Sequence, residues 1–460
     1  MNTNKRIIIS LIFISALFLS LITYLTYFNM FRARDVFGHP ANMRSEAITR
    51  GNIWSNDGVL LAETVRGENG LNNRIYPFGS LYSGIIGYNS SVYGRSGLEN
   101  SFNHHLTGSF GANLLGNVTE GFNLELTIDH DLQQFARNQL GNRRGAVIAI
   151  EPSSGRILTM VSSPDFDANH GALVANWDNL VENEHSPLMP RATLGLYPPG
   201  SVYKIVTAAA AIEAGMIDRT WNDSGAFNLG ENVVRNHNNI AHGEIGLARA
   251  FAISSNYVFC SIGYELGANR ISEISRRFGV GTNIDFDIPV NISRLDYPRG
   301  EMTSADSALV SIGQGALLVT PLHMAMITAS IANSGVMMQP FLVERSRNEL
   351  GLTMFRTRQR VHSRPINANV AAELTEMMEL TVNNGTGVNA RISNVRVAGK
   401  TGTAENELTI DGANLAHTWF VGFAPAENPE IAVAVILEHS GGTGGGAAAN
   451  IFREVVRRYL

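Results

Sequence analysis

A chain of 460 residues, 44% hydrophobic and 16% charged, carries ample apolar material for a large core; two domains are expected, and a disordered or fibrous chain is excluded. The formal net charge is -5 and the basic residues are scattered, so no extended positive face is available for a phosphate backbone and nucleic acid is excluded as a partner. The single cysteine, Cys260, rules out an intrachain disulfide, and its apolar neighbours Tyr257, Val258, Phe259 and Ile262 mark it as a buried structural thiol.

Residues 1–6 form a short polar tail. Ile7 to Asn29 (7–29) contain no charged side chain and are rich in Ile, Leu and Phe, enough to cross the hydrocarbon core as one helix. The run continues into Tyr24, Tyr27, Phe28 and Phe31 where a signal peptide would end in small residues, so an uncleaved anchor is expected. Lys5 and Arg6 nearly balance Arg32 and Arg34, and orientation therefore rests on the tail being too short to be a domain. That places a short end in the cytoplasm and the body outside it.

From 30 to 120 the chain is rich in Gly, Asn and Ser, with short apolar runs at Gly58 to Ala62 and Ser83 to Tyr88; this predicts a small mixed domain, a pedestal that holds the second domain off the membrane. That second domain, 121–460, opens with a strand at Leu124 to Ile128 and a helix at Asp131 to Leu140 behind Asp129 and Asp131. Gly145 to Ile150 and Arg156 to Val161 flank a Glu-Pro-Ser-Ser-Gly turn and read as a hairpin. A polar stretch then runs to Pro190. Helical spacing recurs at Ser201 to Gly215, Ile245 to Leu266, Ile271 to Phe278, Leu322 to Asn333 and Val370 to Asn383. Strands return at Arg396 to Thr403, His417 to Phe423 and Glu430 to Glu438, before a last helix ending at Leu460. Strands at both ends with helices between them predict an antiparallel sheet with helices packed on it, an α/β or α+β layer architecture. The low-complexity patch is Gly441 to Ala449.

Three short motifs carry chemistry. Pro198-Pro199-Gly200 forces a turn that starts a helix at Ser201, with Lys204 three residues on and on the same face. A serine hydroxyl needs a neighbour to take its proton, and a lysine with a lowered pKa can do so. In Ser254-Ser255-Asn256, set in a helical region, Ser254 could relay a proton and Asn256 could hold an amide. On the strand Lys400-Thr401-Gly402-Thr403, the lysine and the hydroxyls could hold a carboxylate while Gly402 allows close approach. Each motif alone is ordinary. Their weight comes from composition: of 35 basic residues only Lys5, Lys204 and Lys400 are lysines, and two of these lie inside the motifs. Arginine cannot give up its proton at accessible pH and lysine can.

Ser-x-x-Lys, Ser-x-Asn and Lys-Thr-Gly, in this order and at these separations, resemble the penicillin-binding proteins and serine β-lactamases. Leu126 to Asp129, the hairpin through Pro164, Gly313-Gln314-Gly315 with Val319-Thr320-Pro321, Ala332 to Gly335 and Trp419 to Phe423 are similar to that family's transpeptidase domain. Arg50-Gly51 with Leu60 to Ala62, and Gly94 to Glu99, resemble the N-terminal region of its class B, monofunctional members. Ser55-Asn56-Asp57-Gly58 departs by lacking the usual arginine. The resemblance implies the penicillin-binding α+β fold with an all-helical subregion, and acylation of Ser201 by the D-Ala-D-Ala end of a peptidoglycan stem peptide. It further implies Lys204 as base, Ser254 as relay, Asn256, Lys400, Thr401, Gly402 and Thr403 as substrate contacts, and the N–H groups of Ser201 and Thr403 as oxyanion hole. β-Lactams would mimic the substrate, and glycan polymerisation would fall to a polytopic membrane glycosyltransferase partner. No cofactor and no metal are implied; His237 and His242 lie among asparagines and fall short of the three or four ligands a site needs.

Three other functions share parts of this reading. A class A β-lactamase would carry its Glu-x-x-Leu-Asn after the nucleophile, whereas Glu68 to Asn72 precedes Ser201. A D,D-carboxypeptidase differs in letting water attack the ester. A non-catalytic sensor or scaffold would require further spans or a signalling module.

Overall fold

The structure, a computed structural model, describes residues 3–27, 49–67, 72–108, 120–230, 232–297, 302–405 and 415–460. Asn29, Phe28, Phe31, Arg32 and Arg34, and Glu68 to Leu71, lie outside them. The N-terminal segment is a helix, Thr3–Tyr27, within which Ile7–Tyr27 is long and apolar enough to cross a membrane and is not buried against the rest of the described chain.

The N-terminal region builds a six-stranded sheet in the order Thr353–Arg356, Val343–Arg347, Asn123–Leu126, Ile53–Trp54, Leu60–Arg66, Asn72–Ile75. Three of these strands come from beyond residue 120. The run Ser83 to Tyr88 forms consecutive turns instead of a strand, burying Ile85 and Ile86. Arg50 and Glu99, one from each N-terminal motif, meet in the interior: Arg50 Nη2 and Arg74 Nε each lie 2.6 Å from the fully buried Glu99 carboxylate. Asn56 and Asp57, in the turn that departs from the family pattern, tie this region to the next: Asn56 Oδ1 accepts from Arg156 at 2.8 Å and Asp57 from His130 N at 3.1 Å.

The second domain is organised by a five-stranded antiparallel sheet, in the order Ala398–Ala404, His417–Ala424, Ile431–Leu437, Gly145–Ile150, Ile157–Ser163. Both chain ends supply it, as the strand order predicts. Its strands Ile431–Leu437 and Gly145–Ile150 are apolar throughout because both faces are covered. Val433 and Val435 point to the helices His130–Leu140 and Ala447–Tyr459, while Ala434 and Ile436 point to Pro321–Ala332. The helix Lys204–Glu213 is apolar almost all round, with 204–211 buried, so it forms the centre of the helical subregion and not a surface helix. Each Phe or Ile sealed there contributes about 1.5–3 kcal/mol.

Three expectations are corrected. The polar stretch before Pro190 holds a helix, His170–Glu182, whose only buried residue is Leu173. Its apolar stripe is too weak to read, and the ring of Trp177 stacking on Tyr93 at 3.8 Å secures it. The helix at Ser201 opens as a 3-10 turn, Gly200–Tyr203, and becomes α-helical at Lys204. Ser254 and Ser255 are not inside a helix: they divide Leu247–Ala252 from Asn256–Arg277, the latter running through position 271 with a break at Gly267.

Candidate active site

Pro198 and Pro199 deny the chain helical hydrogen bonds, and Gly200 then takes φ +55°, a left-handed turn that brings it under the edge strand. A Cβ at Gly200 would lie 2.5 Å from Thr403 O, so only glycine allows this approach. Gly402 answers from the strand side: a Cβ there would lie 2.9 Å from Val202 and 3.0 Å from Pro199 O. Close packing of strand on turn thus accounts for Gly402 before any ligand is considered. Trp419, one strand further in, donates from Nε1 to Pro198 O at 3.2 Å and fixes the other end of the turn. Ser201, half-buried, is set beside Thr403, which is exposed on the outermost strand of the sheet.

Lys204 is fully buried on the next turn. Its Nζ donates to Ser254 O at 2.8 Å, Ser254 Oγ at 3.2 Å and Asn256 Oδ1 at 2.8 Å; none of these bonds goes to Ser201. Lys400, also fully buried, donates to the same Ser254 Oγ at 3.0 Å and to Thr401 O at 3.0 Å. One hydroxyl therefore joins two amines whose sequence positions are almost two hundred apart. The aromatic rings of Phe259 and Phe251 floor the two ammonium groups at 5.4 and 5.5 Å from their centroids. Burial lowers the Lys204 pKa to about 7, against a smaller opposing pull from Cys260 and Asp223. Burial and then the charge of Lys204 push Lys400 well below the ordinary lysine range. An amine near neutrality, hydrogen-bonded to a hydroxyl, can take and return protons.

Beyond Lys400, Thr401 Oγ1 lies 2.6 Å from Thr386 Oγ1, and Thr403 Oγ1 accepts from Gly444 N at 3.4 Å. Neither Thr386 nor the glycine patch belongs to the three motifs; the patch is visible in composition alone, since consecutive glycines mark backbone packed against backbone. Asn256 Nδ2 donates to Arg235 O at 2.9 Å. His417 is buried on the strand beside Lys400, its ring edge-on to Tyr197 at 5.5 Å and its Nδ1 accepting from His439 N at 3.1 Å. His237 is exposed in the 3-10 turn His237–Asn239, and His242 half-buried.

Residues 145–457 match the family described as penicillin binding protein transpeptidase domain, and residues 50–123 the penicillin binding protein A dimerisation domain. The chain is 33% identical, over all of its own length and 99% of the relative's, to the peptidoglycan D,D-transpeptidase PbpA of Mycolicibacterium smegmatis. It is 28% identical to the peptidoglycan D,D-transpeptidase MrdA of Escherichia coli K12, over 84% of this chain and 71% of that one. Among solved structures, the penicillin G acyl-enzyme complex of penicillin-binding protein A from M. tuberculosis superposes with a TM-score of 0.83 at 32% identity, covering 90% of this chain and 100% of that one.

Proposed function

The chain belongs to the penicillin-binding protein transpeptidase family, and on that footing we propose how its residues divide the reaction. It is a peptidoglycan D,D-transpeptidase, acylated by β-lactams. Ser201 is the nucleophile: its Oγ attacks the carbonyl between the two D-Ala residues of a stem peptide, and Lys204 takes the hydroxyl proton. The tetrahedral oxyanion is held by the N–H groups of Ser201 and Thr403. As the C–N bond breaks, Ser254 passes a proton to the departing D-Ala amine, leaving the ester on Ser201. The amine of a neighbouring stem then attacks that ester, the peptide cross-link forms and Ser201 regains its proton. Lys400, Thr401 and Thr403 receive the terminal carboxylate, Gly402 lets it approach the strand, and Asn256 holds the penultimate amide.

The observation that carries this assignment is the Ser254 hydroxyl between Lys204 and Lys400. A relay needs one hydroxyl in contact with the base and with the positive group near the leaving end, and the three motifs converge on that atom. The chain divides accordingly into a tail of 1–6, an anchor of 7–29, a pedestal of 30–120 and a catalytic domain of 121–460. The anchor holds the catalytic domain on the extracytoplasmic face, and a polytopic glycosyltransferase supplies the glycan; recovery of such a protein after mild cross-linking in membranes is the outcome that supports the pairing.

The assignment is tested by intact-protein mass spectrometry of the detergent-solubilised chain incubated with penicillin. One stable adduct, mapped to Ser201 and missing in Ser201→Ala, is expected. An adduct on another residue overturns the assignment, and rapid hydrolysis of the adduct overturns transpeptidation in favour of β-lactamase chemistry.

A further inference from the structure

The strand Thr220–Asp223 ends on a carboxylate with no exposed surface and, among the described residues, no arginine or lysine bonded to it. A buried acid must be met by donors, and Asp223 has them all from neutral groups. Oδ1 accepts from Gly225 N and Asn236 Nδ2, each at 2.8 Å; Oδ2 accepts from Ser255 Oγ at 2.7 Å and Asn236 Nδ2 at 2.9 Å. With its hydrogen committed to Asp223, the Ser255 hydroxyl turns a lone pair to Val258 N at 3.1 Å. With its amide nitrogen committed to Asp223, Asn236 presents Oδ1 to Asn256 N at 2.8 Å and Tyr257 N at 3.0 Å.

The first three N–H groups of the helix Asn256–Arg277 are thereby satisfied without using the side chain of Ser254 or Asn256. Those two side chains are left to face Lys204. Ser254 itself stands at φ +61°, a left-handed conformation that a non-glycine residue keeps only when its surroundings impose it. The bonds from Asn236 and Ser255 impose it by clamping the residues immediately after Ser254.

We infer that Asp223, through Asn236 and Ser255, is a positioning residue for acylation, holding Ser254 and Asn256 against Lys204; this rests on the roles proposed for Ser201 and Lys204. Three ionisable groups bear on the Lys204 amine: Lys400 from the edge strand, Cys260 from the helix Asn256–Arg277, and Asp223. Burial holds the Cys260 thiol up at about 12, so it is uncharged at neutral pH, whereas the charge of Asp223 pulls the Lys204 pKa upward. Removing that charge leaves Lys204 easier to deprotonate while loosening the groups that hold it.

The experiment is stopped-flow acylation of the detergent-solubilised full chain by a fluorescent penicillin, with the non-covalent Kd and limiting rate separated, from about pH 5 to about pH 10. For Asp223→Asn the expected result is a limiting rate lowered about tenfold to hundredfold, the scale of one charge-assisted hydrogen bond, with Kd within about threefold. The acid limb of the rate moves to lower pH. A limiting rate within about threefold of native and an acid limb in place overturn the inference. Should Asp223→Asn lack a cooperative melting transition, Asp223→Glu keeps the charge but displaces the hydroxyl and amide; it is expected to lose rate with the limb in place, and a native rate in it overturns the inference. Absence of labelling in the native chain would instead sink the proposed function, which keeps the two failures apart.

Discussion

Each domain buries a cluster of charge. In the N-terminal domain, Glu99 lies between Arg50 and Arg74 with Tyr76 OH at 3.3 Å. In the catalytic domain Lys204 and Lys400 share a serine hydroxyl, and among the described residues no carboxylate is bonded to either. Both clusters are sealed from water, yet burial acts on them with opposite net results. For Glu99, burial alone would raise the pKa, but Arg74 and Arg50 outweigh it and hold the group below its ordinary value, ionised and structural. For the lysines nothing outweighs burial, and their pKa values fall. The presence or absence of a bonded counter-charge separates a strut from a base.

Breaking the N-terminal cluster should give the largest effect. Glu99→Gln strands two buried guanidinium groups and is expected to cost about 3–5 kcal/mol of stability, read as a lowered urea midpoint. Below its transition the variant should still be acylated at the native rate. Because the folded pKa of Glu99 is depressed, its stabilisation is present above the ordinary carboxylate pKa and disappears as pH falls through the folded value.

Removing the base from the other cluster comes next. Lys204→Arg keeps a cation but cannot accept a proton, and the acylation rate constant of the folded variant should drop by about 10²–10⁴. A counter-charge can also be added where it is missing. Cys260→Asp places a carboxylate beside Lys204, should raise its pKa and so displace the acid limb of acylation from about 7 to higher pH. Each unit of displacement lowers the rate below that limb about tenfold.

The same depression has a thermodynamic signature. The folded Lys204 pKa lies below the ordinary 10.5, so between about 7 and 10.5 the unfolded chain binds more protons and stability rises with pH. Lys204→Met should flatten that slope in denaturation curves measured across the window. The smallest effect is expected at the carboxylate end. Thr386→Val removes the hydroxyl that meets Thr401 at 2.6 Å and should weaken non-covalent penicillin binding by about threefold to tenfold, leaving the limiting rate in place.

Much of the site was legible because it is written in residue types that have few substitutes. Lys204 and Lys400 stand out because every other Lys/Arg position in the body is arginine, which cannot serve as a base, and the turn before Ser201 must carry Gly200 to pass beneath Thr403. The sheet was legible for a related reason: strands buried on both faces read as unbroken apolar runs, as in Ile431–Leu437. The elements that escaped are held together by partners distant in the chain. The helix His170–Glu182 has little apolar stripe of its own and leans on Tyr93; the six-stranded sheet borrows Val343–Arg347 and Thr353–Arg356 from far downstream.

By itself the sequence determined the fold class, the apolar N-terminal helix and which serine and lysines could carry the chemistry, because apolar periodicity and side-chain protonation are local properties. Only the tertiary structure decided that Ser254 stands in a left-handed turn between two helices, that its hydroxyl receives both Lys204 and Lys400, and that Asp223 and Asn236 clamp the residues behind it. A pKa depends on burial and neighbouring charge, and for Lys204 those neighbours come from strands and helices that no local pattern brings together.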